Sequence, residues 1–239
     1  MDTTASGTRR RGLALWAPRQ RWWWIAVLFA AGSACFLIAP IPAFLQLVGP
    51  AVDGVVFFAG SLLFTSAAAL QWLETIDADR GPAGTAGPRR RLLPFQPRRI
   101  DWWSAAVQFL GTLFFNATTF RALQTGLDSP SYDRLVWRPD ALGSVCFLIS
   151  GYLAYVEVAG QPLGRPPRTL ESAIASVNLL GCLAFGSSAV TSFVVPATGS
   201  EISLAMVNLC TALGALCFLV GALLLFPQNA QSRPRGDLP

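Results

Sequence analysis

Gln108, Thr112 and Asn116 stand four residues apart and Thr119 follows three later, within and just before the otherwise apolar run FLGTLFFNATTFRAL (Phe109 to Leu123). On a helix this spacing puts all four on one face. Asn178 and Asn208 place two further amides in other apolar runs. The chemistry these side chains offer is hydrogen bonding, since amides and hydroxyls both donate and accept. Amides facing lipid are costly, so the six should form an intramembrane polar stripe that faces other helices or a cavity. Asn116 is then expected to hydrogen-bond across a helix interface, with Asn178 or Asn208 as partner. Acid–base and metal chemistry are poorly supplied. The chain has no histidine, which removes the commonest general base and metal or haem ligand. Cys35, Cys146, Cys182, Cys210 and Cys217 form no CxxC pair and read as small buried helix residues. No nucleophile–base pair or metal cluster stands out. The expectation is therefore no catalytic residue, no metal, no cofactor and no enzyme.

The elements that must position these amides are membrane-spanning helices. Of the 239 residues 53% are hydrophobic and 13% charged, too apolar a balance for an ordinary soluble domain. A bilayer core about 30 Å thick needs roughly 20 apolar residues of helix. Six stretches qualify, at about 22–41, 53–74, 102–123, 140–158, 171–194 and 202–226. Each must be a helix, because backbone polar groups in lipid have to be satisfied within the segment.

Arginine sets the orientation. All 18 basic residues are arginine, which suggests a GC-rich bacterial genome. Five precede the first span, six lie between spans 2 and 3, two between spans 4 and 5, and two follow span 6; only Arg121, Arg134 and Arg138 fall on the other side. The positive-inside rule then places both termini in the cytoplasm of a bacterial cell with the chain in its inner membrane. Trp22, Trp23, Trp24, Trp72, Trp102 and Trp103 all fall at the cytoplasmic ends of spans, as an interfacial aromatic belt should. The Gly-, Pro- and Arg-rich loop could bind anionic lipid headgroups, although topology signalling alone explains its charge. No nucleic-acid module surrounds it. The bilayer is the expected partner; nothing in the sequence specifies a protein partner or an oligomeric state.

Most acids read as helix-start residues. Asp53, Asp101, Asp140, Glu171 and Glu201 each stand where a span begins, and anions are favoured at helix N-termini. Glu74 and Glu157 instead stand at C-terminal ends of spans, where the dipole disfavours an anion. Asp128, Asp133, Arg134, Trp137 and Arg138 occupy the longest external loop, 124–140. It reads as a solvated, partly interfacial segment that could also form a small surface site.

A repeat runs through the spans. Each carries glycine, a small residue, two others, then phenylalanine: GSACF (32–36), GSLLF (60–64), GTLFF (111–115), GSVCF (143–147), GCLAF (181–185) and GALCF (214–218). Glu74, Glu157 and Gln228 follow Gly60, Gly143 and Gly214 by the same interval. The fold class expected is an all-α integral membrane protein, six transmembrane helices arranged as three tandem parallel-repeat hairpins. Its parts are a basic N-terminal segment (1–21), hairpin 22–74, the Arg-rich loop (75–100), hairpin 101–158, a loop (159–170), hairpin 171–226 and a tail (227–239). Gly32, Gly60, Gly111, Gly143, Gly181 and Gly214 should let helix backbones approach closely.

FFAGSLLFTSAAALQW (57–72) and GSVCFLISGYLAYVEV (143–158) resemble the apolar GS-x-x-F helix of YrhK-like bacterial membrane proteins. FFNATTFRAL is similar to segments of uncharacterised actinobacterial multi-pass proteins. The resemblance implies a membrane hairpin and brings no activity and no catalytic residues. Three hairpins in one chain depart from that family's single-domain pattern.

Two functions fit these features. One is a non-catalytic membrane component that acts through partners or lipids, its amides holding helices together. The other is a small-solute transporter or channel whose amides line a path. No acid or arginine lies at mid-membrane and no span is broken by proline at its centre, so the first is the expectation. A hydrated cavity reaching Asn116 and Asn178 would mark transport; a dry, glycine-packed centre would mark the first.

Overall fold

The computed structural model describes residues 16–78, 95–124 and 127–231. Nine arginines of the terminal segments and of the Arg-rich loop lie outside these residues, and with them most of the surface expected to meet anionic lipid.

The described chain is almost wholly helical: α1 (Arg21–Ile38), α2 (Pro42–Ala78), α3 (Ile100–Ala122), α4 (Ser129–Tyr132), α5 (Arg138–Ala159), α6 (Leu170–Thr191) and α7 (Leu204–Gln231). A two-stranded hairpin, β1 (Val194–Val195) with β2 (Ser200–Glu201), joins α6 to α7. Five helical stretches are long and apolar enough to cross a membrane: Arg21–Ile38, Pro42–Asp77, Ser129–Ala159, Leu170–Thr191 and Leu204–Asn229. The architecture is that of a multi-pass membrane protein. α3 has 23 residues but falls outside that group, because Asp101, Gln108, Asn116 and Arg121 lower its hydropathy.

The six long helices close a ring. Each packs on two others, in the order α1, α2, α3, α5, α6, α7 and back to α1. Neighbours run antiparallel. Trp72 of α2 stacks on Phe109 of α3 with ring centroids 5.5 Å apart, while Ser61 and Thr119 share a 2.9 Å hydrogen bond further along the same pair. Trp22 near the start of α1 meets Phe226 near the end of α7 at 6.2 Å, so both ends of the described chain reach one face, here the terminal face. The connections at 39–41, 127–137 and 192–203 lie at the far face.

Local signals explain most boundaries. Thr169 caps α6, its hydroxyl accepting from Ser172 N–H at 3.2 Å. Gly160, in the left-handed region at φ 71°, ends α5 as a C′ glycine does. α2 begins earlier than the expected span. A segment from Pro42 is helical, the backbone breaks at Gly49 (φ 79°, ψ 162°), and Pro50 follows. Glycine alone adopts that conformation readily, and proline suits the first position of the resumed helix.

Three expectations are corrected. The loop 124–140 is largely helical: α4 runs through a π-helical turn, Asp133–Trp137, straight into α5. Asp140 does lie in the first turn of α5, but that turn continues the helical run before it and is not a free helix start. Arg138 N–H already donates to the Asp133 carbonyl and Pro139 has no N–H, so neither is free to stabilise the carboxylate. Glu201 lies in β2, not in the first turn of α7. The reading does fit Asp101 and Glu171, both in first turns, with Asp101 also bonded to Arg99.

Candidate functional site

The G-small-x-x-F residues meet at the centre of the ring. A methyl group built on Gly32 would stand 2.7 Å from the Phe64 ring and 3.0 Å from the Gly60 carbonyl oxygen. One on Gly111 would stand 2.7 Å from Phe147 and 2.9 Å from Cys146 Cβ. One on Gly214 would meet Phe185 at 2.7 Å and the Gly181 carbonyl at 3.1 Å. In each pair α1–α2, α3–α5 and α6–α7 the glycines thus set helices in backbone contact, which in lipid is how dispersion packing is gained. The residues after the glycines, Ser33, Ser61, Thr112, Ser144, Cys182 and Ala215, are at most 3% exposed. Two residues after the glycine the chain faces outward: Leu62, Leu113, Val145, Leu183 and Leu216 are 43–51% exposed, an apolar exterior suited to lipid.

The six phenylalanines of the repeat converge on the axis. Phe36–Phe64, Phe64–Phe218 and Phe147–Phe218 lie 5.8 Å apart, Phe115–Phe147 4.9 Å, Phe36–Phe185 6.0 Å and Phe115–Phe185 6.1 Å. Most of these contacts are edge-to-face, the arrangement the ring quadrupole favours. The gap left among them, bordered by Ser61 and Thr112, is about 20 Å³.

A cavity lies on either side of this plug. Towards the terminal face, about 280 Å³ is lined by Gln71 and Glu74 of α2, Gln108 of α3, Asn178 of α6, and Gln228 and Asn229 of α7. Towards the far face, about 200 Å³ is lined by Phe57, Thr118, Thr119, Tyr132, Trp137, Asp140, Asn208 and Thr211 among others. The π-helical turn brings Tyr132, Val136, Trp137 and Asp140 to this second cavity together; such turns recur at functional sites. Trp137 is held by its indole N–H, which donates to the Ala189 carbonyl at 2.8 Å. The Thr118 hydroxyl donates to the Val136 carbonyl at 3.1 Å. Just outside, Asp128 caps α4 by accepting from Ser131 N–H, and its hydrogen bonds to Ser131 hold its carboxyl below the usual carboxylate range.

The expected stripe is divided among these places. Gln108 and Asn178 line the terminal-face cavity, Thr112 borders the central gap, and Thr119 and Asn208 line the far-face cavity. Asn116 lines none of the three. Its side-chain oxygen is buried without a hydrogen-bond partner among the described residues, so the expected bond to Asn178 or Asn208 is absent: those two lie near opposite ends of the ring, on different cavities. Cross-helix hydrogen bonds come from hydroxyls instead. Ser104 and Ser150 exchange bonds with each other's carbonyls at 3.0 and 2.8 Å, and Ser188 pairs with Thr211 at 2.8 Å. Glu74 and Gln228 share a cavity, whereas Glu157 is exposed. All five cysteines are free.

A second repeat had escaped the sequence reading. Before α1, Trp16 packs edge-on against Trp23 at 4.9 Å and Trp24 N–H donates to the Pro18 carbonyl at 2.9 Å. Before α3, Phe95 packs edge-on against Trp102 at 5.3 Å and Trp103 N–H donates to the Pro97 carbonyl at 3.2 Å. The signal was present as aromatic-x-Pro-Arg followed by paired tryptophans. No family model, curated protein or solved structure matches the chain.

Proposed function

We propose that the chain is a six-span bacterial inner-membrane protein, three tandem hairpins with both termini cytoplasmic, and that it is a non-catalytic membrane component acting by binding at its two faces. α3 belongs among the spans because it fills the ring between α2 and α5 and turns Thr112, Thr118 and Thr119 inward. The hairpin repeat is supported by the like glycine–phenylalanine contacts in the three pairs and by the twice-used aromatic–proline lead-in. The likeness to YrhK-like proteins stays part of this proposal and extends to the hairpin alone. In reporter fusions, sites 163 and 235 should read cytoplasmic and sites 47, 130 and 198 external; an external signal at 163 would refute the orientation.

The observation that carries the functional reading is the plug: six phenylalanines close the axis and leave a gap of about 20 Å³, no more than about one water. Purified protein in liposomes is expected to pass no polar solute above the protein-free rate. Uptake of glycerol, an amino acid or potassium at a rate scaling with protein content would replace this reading with transport. That second reading is favoured by one feature, the two cavities, each with polar side chains in its lining, that lie back to back across the plug, since an apolar constriction between wet vestibules is a known form of gate.

A further inference from the structure

We propose that the far-face cavity binds a small alkylammonium group, with Asp140 as its counter-charge and the rings of Trp137, Tyr132 and Phe57 as its walls. Neither Asp140 oxygen has a hydrogen bond or ion pair among the described residues, and the side chain lines the cavity. A carboxylate placed between helices in this way either gives up its charge by protonation or is stabilised by a positive partner. The described residues do not supply one: the chain has no lysine or histidine, and Arg134 and Arg138 are exposed and make no ion pair with it. The carboxylates of Asp133 and Glu201, like that of Asp140, act on Tyr132, so the neighbourhood adds negative charge.

The walls select the kind of cation. A calcium or magnesium ion needs six or more oxygen ligands or retained waters, and this cavity offers one carboxylate, the Asn208 amide and serine and threonine hydroxyls already engaged in hydrogen bonds, beside six aromatic rings. Aromatic faces attract ammonium groups through the ring quadrupole and suit those carrying methyl or methylene groups. Trp137, locked by its bond to the Ala189 carbonyl, presents a fixed wall. Asn208, without a hydrogen-bond partner among the described residues, also lines the cavity and can accept from an N–H or hydroxyl of the guest. Such a group could arrive as a free solute or as the headgroup of a zwitterionic lipid. The inference holds whether the plug is permanent or gated.

The test uses the full chain, purified in detergent and stripped of lipid, with choline as probe and its neutral isostere, in which carbon replaces nitrogen, as reference. Calorimetry should show saturable choline binding at least about tenfold tighter than the isostere, the lower bound for a desolvated charge pair. Asp140→Asn should lose at least about tenfold in choline affinity, Asp140→Glu should retain most of it, and Trp137→Leu should weaken it. Glu74→Gln, in the other cavity, should change nothing. Displacement of choline by a short-chain phosphatidylcholine assigns the site to a lipid headgroup; failure of displacement assigns it to a free solute. No choline binding, equal binding of choline and isostere, or full affinity in Asp140→Asn overturns the proposal. Should Asp140→Asn fail to fold, the wild-type comparison of choline with its isostere and the Trp137→Leu variant decide.

Discussion

Gly111→Leu is expected to yield no folded protein, and Gly111→Ala a folded protein destabilised by about 1–3 kcal/mol, the usual cost of forcing a methyl group into a packed core. The added Cβ would stand 2.9 Å from Cys146 Cβ and 2.7 Å from the Phe147 ring. A ring can tilt, but a Cβ moves only with its backbone, so α3 and α5 would have to separate. Their separation would pull Ser104 and Ser150 apart, whose mutual bonds run along the same interface. Gly60→Ala should behave alike, since its new methyl meets Cys35 Cβ at 2.8 Å. Gly186→Ala is the control: its methyl meets only the end of the Leu148 side chain, at 3.2 Å, which can turn aside. Thermal unfolding in detergent, read by the folded peak in size exclusion, gives the order. Gly111→Ala melting with the wild type would mean that the central glycines are not what holds the pairs together.

Phe64→Ala should cost about 2 kcal/mol. Phe64 is 4% exposed and touches Phe29, Phe36 and Phe218 at 5.4–5.8 Å. Truncating a buried phenylalanine in a soluble core costs about 3–5 kcal/mol, part transfer and part cavity. In a bilayer the transfer part largely falls away, because separated helices keep the ring in lipid; the lost packing remains. Phe120→Ala, at a ring 52% exposed, should shift stability by less than about 0.5 kcal/mol. The same melting series reads both. Equal effects at Phe64 and Phe120 would mean that the plug contributes no special packing. The sign of the difference does not depend on whether the protein transports anything.

Much of the architecture was legible because its determinants are local. Apolar run length marks where the spans lie, though the helical stretches at Pro42 and Ser129 begin well before the runs counted from 53 and 140. The interval from glycine to phenylalanine marks which side of each helix is crowded, since one turn separates them and both point the same way. Sequence spacing also grouped Gln108, Thr112 and Thr119 on one side of α3, and all three do turn inward. It could not say that the inward side passes two cavities and a plug, because that depends on what five other helices bring to each level of the ring. Asn116 shows the limit most plainly: it shares the four-residue spacing, yet two such steps carry it about 80° around the helix from Gln108, beside the cavities instead of in them.

By itself, then, the sequence determined the multi-pass helical class, the approximate spans and the contact points at which backbones approach, all of them consequences of composition and period. Tertiary structure decided where the polar groups act. Asp140 looked like a helix-start residue because the apolar run of its span, 140–158, begins there. Only the folded chain shows α4 and the π-helical turn running into α5, which engages the Arg138 N–H and brings Tyr132, Trp137 and Asp140 together at one cavity. Amphipathic period encodes which residues share a helix face. Which faces converge is set by ring closure among helices far apart in the chain, and no local pattern carries that information.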